Sequence, residues 1–599
     1  IKILKKEGFD WANHTIKLYN TNKINENIGK VTGVTYNLEG KKVTKSKLSN
    51  KSIFKERLNE YYNSVKFTMP DIQEGSVIEF KYTITSEYLF NLPEWYFQYS
   101  IPVMWSEFNA EIPEYYEYKQ FSTGNDPIQV NQQTRGQESI IMQNSTAVMN
   151  GRTATSEIQR EEIKYLTSKY RMVAMDVPAF ITEPMLTTRD NYILKVKFEL
   201  SGENFPGQKP RMYSRDWSNI DRELKEHSFF GQQLGAGGLF LNKPIKTIQE
   251  SVDGELNQMI ACFEFIKNNM KWNGFNSIYT SSLRNAFQYK TGTVADINLM
   301  LTVMLRKAGF EAYPVILSTR SNGIVNMAYP MLSSFNYVIT LVQHGGKSYL
   351  LDATDSFSKF NLLPERCLNG KGRVAEMGID AWVDLNPSGT FSTNTEMDLV
   401  LDDNGNAKGS ILVARKDYSA NDKRKDILAE KSEEDYIAIL EKENQGLEID
   451  SYKFENLNDV YESLIENYEV SINGTAEATT DHIYLNPMYF ERMEGNLFKL
   501  EDRRYPIDYA FPRHEMYKLT LVIPEGYTVE ETPENMSISF KGGSAVFSYD
   551  IKVSDNIVNL NSAIHINKTL FMDTDYKELK EFYNNIVKKH AEMIALKKN

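Results

Sequence analysis

The sequence predicts a multi-domain protein with an all-β, sandwich-like N-terminal domain, a central α+β domain and a C-terminal β-rich domain with a terminal helix. Three observations predict this fold class. The chain has 599 residues, which is enough for several domains. Its 35 Tyr and 31 Phe favour strands. One strongly apolar helical pattern near the middle of the chain separates two regions in which polar and apolar residues alternate.

Residues 1–205 are predicted to form the N-terminal β domain. The segment "KVTGVTYNLEGKKVTKSKL" alternates around a turn, and "SVKFTMPDIQEGSVIEFKYTITS" repeats this pattern. One stretch of this domain, "TSEIQREEIKYLTSKY" at residues 155–170, is predicted as a helix. Residues 206–245 are rich in Gly, Pro, Asn and Gln, which indicates a connector to the next domain.

Residues 246–388 are predicted to form the central α+β domain. The segment "TIQESVDGELNQMIACFEFIKNNMKW" has helical spacing, and "ADINLMLTVMLRKAG" is apolar on nearly every side, which predicts a buried central helix. The runs "AYPVILSTR", "SFNYVITLVQ" and "KSYLLDAT" follow as predicted strands. The sequence His344-Gly345-Gly346 is typical of a hairpin that joins the last two.

Residues 389–599 are predicted to form the C-terminal β-rich domain. The segment "MDLVLDDNGNAKGSILVARK" has the pattern of a hairpin, and a last helix is expected to begin at about Asp575. We expect the apolar face of this helix to dock on its own domain rather than on a membrane. That face carries Tyr576, Leu579, Phe582, Tyr583 and Ile586.

The charge balance excludes two classes of partner. The chain has 68 Lys+Arg and 80 Asp+Glu, a formal net charge of −12, and no long basic block. We therefore expect no nucleic-acid partner and no binding to an anionic membrane surface. No apolar run is long enough to cross a bilayer, which predicts no transmembrane segment. Because the chain begins at Ile1 and carries no signal peptide, we expect it to be processed or trimmed.

The sequence predicts no cofactor and no metal site. No two of the seven histidines have the spacing of a helical zinc pair. The segment "LDDNGNAKG" lacks the glycine and the final glutamate of a calcium loop, so a hairpin tip is the favoured interpretation. Two cysteines, Cys262 and Cys367, are too few for a disulfide framework or a cysteine-based metal cage. A single bridge between them stays open at this point.

Long segments of the chain resemble a known family. The stretch "KTGTVADINLMLTVMLRKAGFEAYPVILSTR", followed by "FNYVITLV" and "YLLDATD", resembles the core of transglutaminase-like (papain-like) proteins. The segments "YNSVKFTMPDIQEGSVIEFKYTITS" and "LPEWYFQYSIPVMWSEFNAEIPEYYEYK" resemble the domain of unknown function that precedes such cores in Bacteroidetes proteins. The segment "RRYPIDYAFPRHEMYKLTLVIPEGYTVEETP" resembles the β module that follows them. The resemblance covers most of the chain.

The resemblance implies where the catalytic groups of this family would lie. The nucleophile position, at the start of the buried helix in "GTVAD", is Val294. The base position on the next strand, in "FNYVI", is Asn336, and the acid position in "LLDAT" is Asp352. An isopropyl group cannot attack a carbonyl, and an amide does not serve as a general base near neutral pH. The resemblance therefore implies a pseudo-enzyme, in which Asp352 is a structural acceptor, for instance of the Asn336 amide.

Other interpretations of the central region remain open. Thr293 and Asp296 have the spacing of a capping box, so these residues can be explained by the start of the helix alone. A displaced active site would use Cys262 or Cys367. The apolar neighbours of Cys262 favour an inert thiol, and a pair of Cys367 with His344 is conceivable.

The hypothesis that follows is a non-catalytic protein that binds a protein partner or acts as a scaffold of the cell envelope. An outer-membrane or envelope complex is the kind of partner that this hypothesis suggests. The resemblance alone implies export, with a periplasmic or outer-membrane-associated location. One alternative is a cysteine-type transglutaminase or protease with displaced catalytic groups. Another is a glycan-binding envelope protein, for which the aromatic-rich "PEWYFQYSIPVMW" would offer a stacking platform.

Overall fold

Strands predominate in the first and last thirds of the molecule, and most helices lie between them. The predicted β-rich, multi-domain fold with a helix near the C-terminus is confirmed, whereas the domain boundaries stay predictions. The computed structural model describes residues 1–20, 25–58, 62–89, 92–150, 153–213, 216–235 and 238–599.

The N-terminal region consists of short antiparallel sheets that enclose two small apolar cores. Sheets β1-β6-β5 and β4-β3-β7 enclose the first, and sheets β10-β13-β12 and β11-β14-β15 enclose the second. The strands are β1 Asn13–Tyr19, β2 Asn27–Ile28, β3 Thr32–Glu39, β4 Lys42–Lys47, β5 Ile53–Arg57, β6 Tyr62–Thr68, β7 Val77–Lys81, β8 Ile84–Thr85, β9 Trp95–Tyr96, β10 Val103–Pro113, β11 Tyr116–Thr123, β12 Val130–Asn150, β13 Thr153–Val177, β14 Lys195–Glu203 and β15 Arg211–Met212.

The helix predicted at residues 155–170 is wrong, because this stretch belongs to strand β13. β13 pairs with β12 over residues 153–173 and with β10 over residues 167–177. Its Glu, Gln, Ile and Lys residues fit the helical period, but local propensity is a weak signal when long-range pairing is available. The neighbouring strands therefore decide the conformation.

The central region contains a five-stranded antiparallel sheet, β20-β19-β18-β21-β22, packed against a buried helix. This helix, α6, is the predicted central helix, and its residues 294–305 are all buried. The predicted strands and the hairpin at residues 344–347 are also present. The elements are α1 Trp217–Glu226, α2 Gly231–Gly235, α3 Asn242–Ser251, α4 Glu255–Asn269, β16 Lys271–Trp272, α5 Leu283–Tyr289, β17 Thr291–Gly292, α6 Val294–Lys307, β18 Glu311–Leu317, β19 Tyr337–His344, β20 Lys347–Leu351, β21 Lys371–Val374 and β22 Trp382–Asp384.

The range 206–245, predicted as a connector, folds largely as part of this central region. Helices α1 and α2 lie within it, and α3 begins in it. Ile220, Leu224, Phe230 and Leu241 belong to the same apolar core as α6. The glycines and amides suggested a linker because the apolar residues between them are few and widely spaced. Residues 214–215 and 236–237 of this range lie outside the described residues.

The C-terminal region is built on an eight-stranded sheet, β25-β26-β24-β23-β30-β34-β33-β32, in which β23 and β30 run parallel. The predicted hairpin at residues 397–416 is present as β23 and β24. The elements are β23 Phe391–Leu401, β24 Ala407–Lys416, α7 Asp417–Ala429, α8 Glu433–Glu443, β25 Leu447–Glu455, β26 Leu464–Ile472, β27 Ala476–Ala478, β28 His482–Leu485, β29 Ile507–Asp508, β30 Arg513–Val522, β31 Tyr527–Glu531, β32 Met536–Phe540, β33 Ala545–Ser554, β34 Ile557–Ile566, β35 Leu570–Phe571, α9 Tyr576–His590 and β36 Ile594–Lys598.

Helix α9 begins at Tyr576, with Asp575 at the N-cap position, which agrees with the predicted start. The five residues of its predicted apolar face are all buried in the core of the C-terminal region. Docking of the helix on its own domain is therefore confirmed. None of the helices in the described ranges is both long enough and apolar enough to cross a membrane.

Candidate functional site

The start of α6 is fixed by the predicted capping box, which is confirmed. Thr293 Oγ1 accepts a hydrogen bond from the Asp296 N–H at 3.3 Å, and Asp296 Oδ2 accepts one from the Thr293 N–H at 2.8 Å. Val294, the first residue of the helix, is fully buried, and its N–H donates to the Phe275 carbonyl at 3.3 Å. The positive end of this buried helix therefore carries an isopropyl group at position 294.

Asp352 directly follows β20 and is almost completely buried. Its Oδ1 accepts hydrogen bonds from Asn298 Nδ2 at 2.9 Å and from the Thr354 hydroxyl at 2.7 Å. Its Oδ2 accepts one from the Tyr337 hydroxyl at 2.6 Å, and Cys367 Sγ lies 3.5 Å from the same oxygen. The carboxylate is thus stabilised by donors from four different segments of the central region.

Asn336 and Tyr337 are neighbours in sequence, but their side chains have different surroundings. The expected hydrogen bond from Asn336 to Asp352 is wrong: Asn336 Nδ2 donates to Thr319 Oγ1 at 2.9 Å, and Asn336 Oδ1 accepts from the Thr319 N–H at 2.9 Å. Successive residues of extended backbone face opposite sides, so Tyr337 is the one that reaches Asp352. Burial and then the charge of Asp352 raise the pKa of Tyr337 well above its ordinary value, so its hydroxyl stays protonated.

Arg366 occupies the space between two aromatic rings next to this carboxylate. Its guanidinium carbon lies 4.6 Å from the ring of Trp272 and 5.7 Å from the ring of Tyr337. Its Nε donates to the Tyr337 hydroxyl at 2.9 Å, and its Nη2 donates to the Thr354 hydroxyl at 2.7 Å. Nη2 also lies 3.7 Å from Asp352 Oδ2, so the two opposite charges form an ion pair. We call the following residues the Asp352 cluster: Trp272, Asn298, Tyr337, Asp352, Thr354, Arg366 and Cys367.

The two cysteines are free thiols, so the bridge that the sequence left open is not formed. Burial raises the pKa of Cys262 to about 12, and burial followed by the charge of Asp352 raises that of Cys367 well above its ordinary range. His344 contacts Glu255, with 3.3 Å between His344 Nδ1 and Glu255 Oε2, and it lies at the hairpin tip rather than beside Cys367. Both thiols are therefore protonated and poorly nucleophilic near neutral pH.

The structure also shows the surroundings of the other candidate sites, which are the metal sites, the "LDDNGNAKG" segment and the aromatic-rich segment. Within the described residues, no group of three or more His, Cys, Asp or Glu side chains is arranged to hold a metal ion. Asp402 Oδ1 accepts from the N–H groups of Asn404 and Asn406 at 2.9 and 2.8 Å, which is the geometry of a turn at the hairpin tip. The aromatic-rich segment "PEWYFQYSIPVMW" has both buried and exposed rings, because Phe97 is fully buried whereas Trp105 is 54% exposed.

Sequence reasoning assigned a role to Asp352 and Cys367 and missed the other five members of the Asp352 cluster. Trp272 was considered only as the last residue of a segment with helical spacing, Arg366 directly precedes Cys367 in a loop, and Asn298 was treated as part of an apolar helix. One signal was present for Asn298, because it is a polar residue within a helix that is otherwise apolar on nearly every side. A buried amide of this kind needs partners, and here they are Asp352, the Val338 carbonyl and the Ala353 N–H.

Comparison with solved structures supports the fold. The crystal structure of a putative protease from Parabacteroides distasonis aligns with a TM-score of 0.57 and 11% identity, over 100% of this chain and 94% of that chain. The TM-score shows a similar fold, whereas an identity of 11% leaves the activity open. A putative cysteine protease from Cytophaga hutchinsonii aligns over 42% of this chain and 78% of that chain, with 12% identity and a TM-score of 0.16. A TM-score this low does not indicate a shared fold.

Comparison with protein families identifies part of the C-terminal region. Residues 481–596 match a family described as a domain of unknown function with a solved structure, DUF3858. The segment "RRYPIDYAFPRHEMYKLTLVIPEGYTVEETP", at residues 503–533, lies within this match. No curated protein matches the chain.

Proposed function

We propose that this protein is a non-catalytic relative of transglutaminase-like enzymes and acts as a protein-binding or scaffold component of the cell envelope. The Asp352 cluster carries the proposal. Val294 lies at the start of the buried helix, Tyr337 at the start of β19 and Asp352 just after β20. The resemblance implies the nucleophile at the first of these places and the acid at the third, and it implies the base at Asn336, directly before the second. We assign the base position to Tyr337 instead of Asn336, because Tyr337 contacts Asp352.

The chemistry of these side chains supports loss of the reaction. Val294 has no lone pair with which to attack a carbonyl. Tyr337 is protonated and already donates to Asp352, so it is unsuited to accept a proton from a nucleophile. Loss of the nucleophile alone removes most of the rate of a catalytic triad.

Arg366 gives further support. Its guanidinium lies between Trp272 and Tyr337 and is held by the hydroxyl groups of Tyr337 and Thr354. In this position a side chain of the protein itself fills space beside the acid. A substrate would have to displace an ion pair and two hydrogen bonds, which is costly for a partly buried charge.

The alternative of displaced cysteine chemistry has less support. The chain has two cysteines, and both are buried with raised pKa values. Cys367 contacts a carboxylate rather than an imidazole, so the contact disfavours the thiolate. The envelope location and the protein partner rest on the family resemblance, which also implies export.

An activity assay tests the loss of catalysis. The purified protein is incubated with casein and a fluorescent amine to detect acyl transfer, and with unfolded casein alone to detect proteolysis. We expect no product above the blank, and no difference between the wild type and the variants Cys262→Ala and Cys367→Ala. Turnover that disappears in Cys367→Ala but persists in Cys262→Ala would establish a displaced active site instead.

A pull-down tests the binding role. The tagged protein is recovered from native membranes and periplasm in mild detergent, and the proteins bound to it are identified and quantified by mass spectrometry. We expect one protein partner at a stoichiometric level. Recovery of the bare chain from both fractions would contradict the scaffold role.

A further inference from the structure

A groove of about 1040 Å³ lies between the N-terminal region and the central region. Strands β14 and β15 form one wall, and residues 329–333, just before β19, form the opposite wall together with α1. The walls meet where the ring of Tyr329 packs edge-on against Phe121, with 5.0 Å between ring centroids. Of the described residues that line the groove, none belongs to the Asp352 cluster.

The wall formed by β14 has an incomplete edge. Strand β11 pairs with β14 along residues 195–203 on one side. On the other side, β9 pairs with residues 195–196 and β15 with residues 202–203. In the part of the chain that the structure describes, no strand pairs with residues 197–200 on this side. Three residues of this stretch, Lys197, Glu199 and Leu200, line the groove, so the groove lies beside the part of β14 that has this free side.

The groove carries an excess of negative charge. It is lined by four carboxylates and two ammonium groups: Glu87, Glu199, Glu203, Glu223, Lys119 and Lys197. Lys197 is paired with Glu199 at 2.5 Å, and Lys119 lies 5.4 Å from the ring centroid of Tyr329. The remaining three carboxylates form no ion pair with any described Lys, Arg or His side chain. Their negative potential attracts a cationic ligand into the groove.

The lining also contains exposed apolar surface. Leu89, Met212, Tyr213 and Tyr329 are each between 38% and 44% exposed. Clustered apolar side chains that are rimmed by charges are typical of a protein-binding surface. Together with the unpaired edge, they provide the two contributions that a bound strand needs, which are main-chain hydrogen bonds and side-chain contacts.

We propose that this groove binds an extended, lysine- or arginine-bearing segment of a partner protein as an added strand next to β14. The main chain of the segment pairs with residues 197–200, between β9 and β15. Its cationic side chains contact Glu203 and Glu223, and its apolar side chains contact Met212 and Tyr329. This site goes beyond the proposed function, because it requires neither the loss of catalysis nor any residue of the Asp352 cluster.

Binding of a defined probe to the whole protein tests this site. The probe is a short, capped, fluorescent peptide of alternating lysine and valine, and its anisotropy is measured at low salt. We expect saturable binding below about 1 mM. A matched peptide with glutamate in place of lysine should bind at least about tenfold more weakly, because its charges repel the groove. A lysine–valine peptide with alternate N-methylated peptide bonds should show a similar loss, since it cannot complete the hydrogen bonds to the edge.

Two double variants with the same change in net charge locate the site. Glu87→Lys with Glu223→Lys reverses two exposed carboxylates of the groove and should weaken binding at least about tenfold. Asp403→Lys with Glu525→Lys reverses two exposed carboxylates of the C-terminal region and should change binding less than about twofold. Unchanged unfolding temperatures in both variants show that the fold is retained.

Several results would overturn the proposal. These are absence of saturable binding, equal binding of the N-methylated peptide, and equal weakening by the two double variants. If the wild type forms a dimer that only the groove variant disrupts, the occupant is a second copy of this chain and not a partner protein. An active enzyme in the casein assays would contradict the proposed function but would leave the result for the groove unchanged.

Discussion

Charged groups have opposite surroundings in the Asp352 cluster and in the groove beside β14. In the cluster, the carboxylate of Asp352 is buried and accepts hydrogen bonds from Asn298, Tyr337 and Thr354, with Arg366 beside it. In the groove, Glu87 and Glu223 are exposed, and within the described residues a stretch of β14 has no partner strand on the side opposite β11.

This difference teaches where binding is to be expected. A buried polar group whose partners are all supplied by the protein stabilises the fold and offers little to a ligand. An exposed carboxylate or an unpaired strand edge exchanges its hydrogen bonds with water for a ligand at small cost. On this basis we assign the Asp352 cluster a structural role, and we propose the groove as the region that binds a partner.

The largest expected effect is the loss of the buried carboxylate. Asp352→Ala leaves Asn298, Tyr337 and Arg366 without their shared acceptor, and it should lower the free energy of unfolding by about 3–5 kcal/mol. Guanidinium denaturation followed by tryptophan fluorescence measures this change. Asp403→Ala, at an exposed hairpin tip, is the control and should remain within about 0.5 kcal/mol of the wild type. A decrease of less than about 1 kcal/mol in the free energy of unfolding of Asp352→Ala would contradict a structural role of the cluster.

The second prediction concerns the stability of the protein in acid, which depends on His590 in the C-terminal region. Burial lowers the pKa of His590 to about 4, from 6.5. Its Nδ1 accepts from the Met493 N–H at 3.1 Å, so the neutral ring is the form that fits the fold. Its contribution to stability is complete above pH 6.5 and is lost as the pH falls towards 4, by up to about 3 kcal/mol.

The matching variant for this pH effect is His590→Gln, which removes the titrating group. The free energy of unfolding should fall less between pH 7 and pH 4 in His590→Gln than in the wild type, with a difference of up to about 3 kcal/mol. Denaturation curves at several pH values measure it. Parallel pH profiles of the two proteins would assign the acid sensitivity to other groups.

A smaller effect is expected for the hydroxyl that joins Asp352 to Arg366. Tyr337→Phe removes one hydrogen bond to each of these residues and should lower the free energy of unfolding by about 1–2 kcal/mol. Tyr484→Phe, at a more exposed ring, is the matched control and is expected to be nearly neutral. Equal stability of the two variants would mean that the Tyr337 hydroxyl is not part of the stabilising network.

The smallest effect is expected in the groove. Glu223→Lys changes an exposed side chain of α1 and should alter the free energy of unfolding by less than about 0.5 kcal/mol. The same denaturation experiment measures it. A loss as large as that of Tyr337→Phe would make Glu223 a structural residue, and the contrast between the two regions would then fail.

Several elements of the fold were predictable because their signals are local. The capping box of Thr293 and Asp296, the apolar pattern of α6 and the stripe of α9 depend on spacing within a single helix. The strand at residues 155–170 was not predictable in this way. Its helical spacing is also local, but its conformation depends on β10 and β12, which lie at other places in the sequence.

The sequence by itself determined which side chains stand at positions 294 and 352, because residue types are read directly from the quoted motifs. The tertiary structure alone decided that Tyr337 rather than Asn336 contacts Asp352, and that Arg366 lies beside it. It also decided that residues 197–200 of β14 lie beside a groove and, among the described strands, have no partner on the side opposite β11. The physical reason is that a side chain's partners depend on which strands and loops meet in space, and sequence spacing does not specify that meeting.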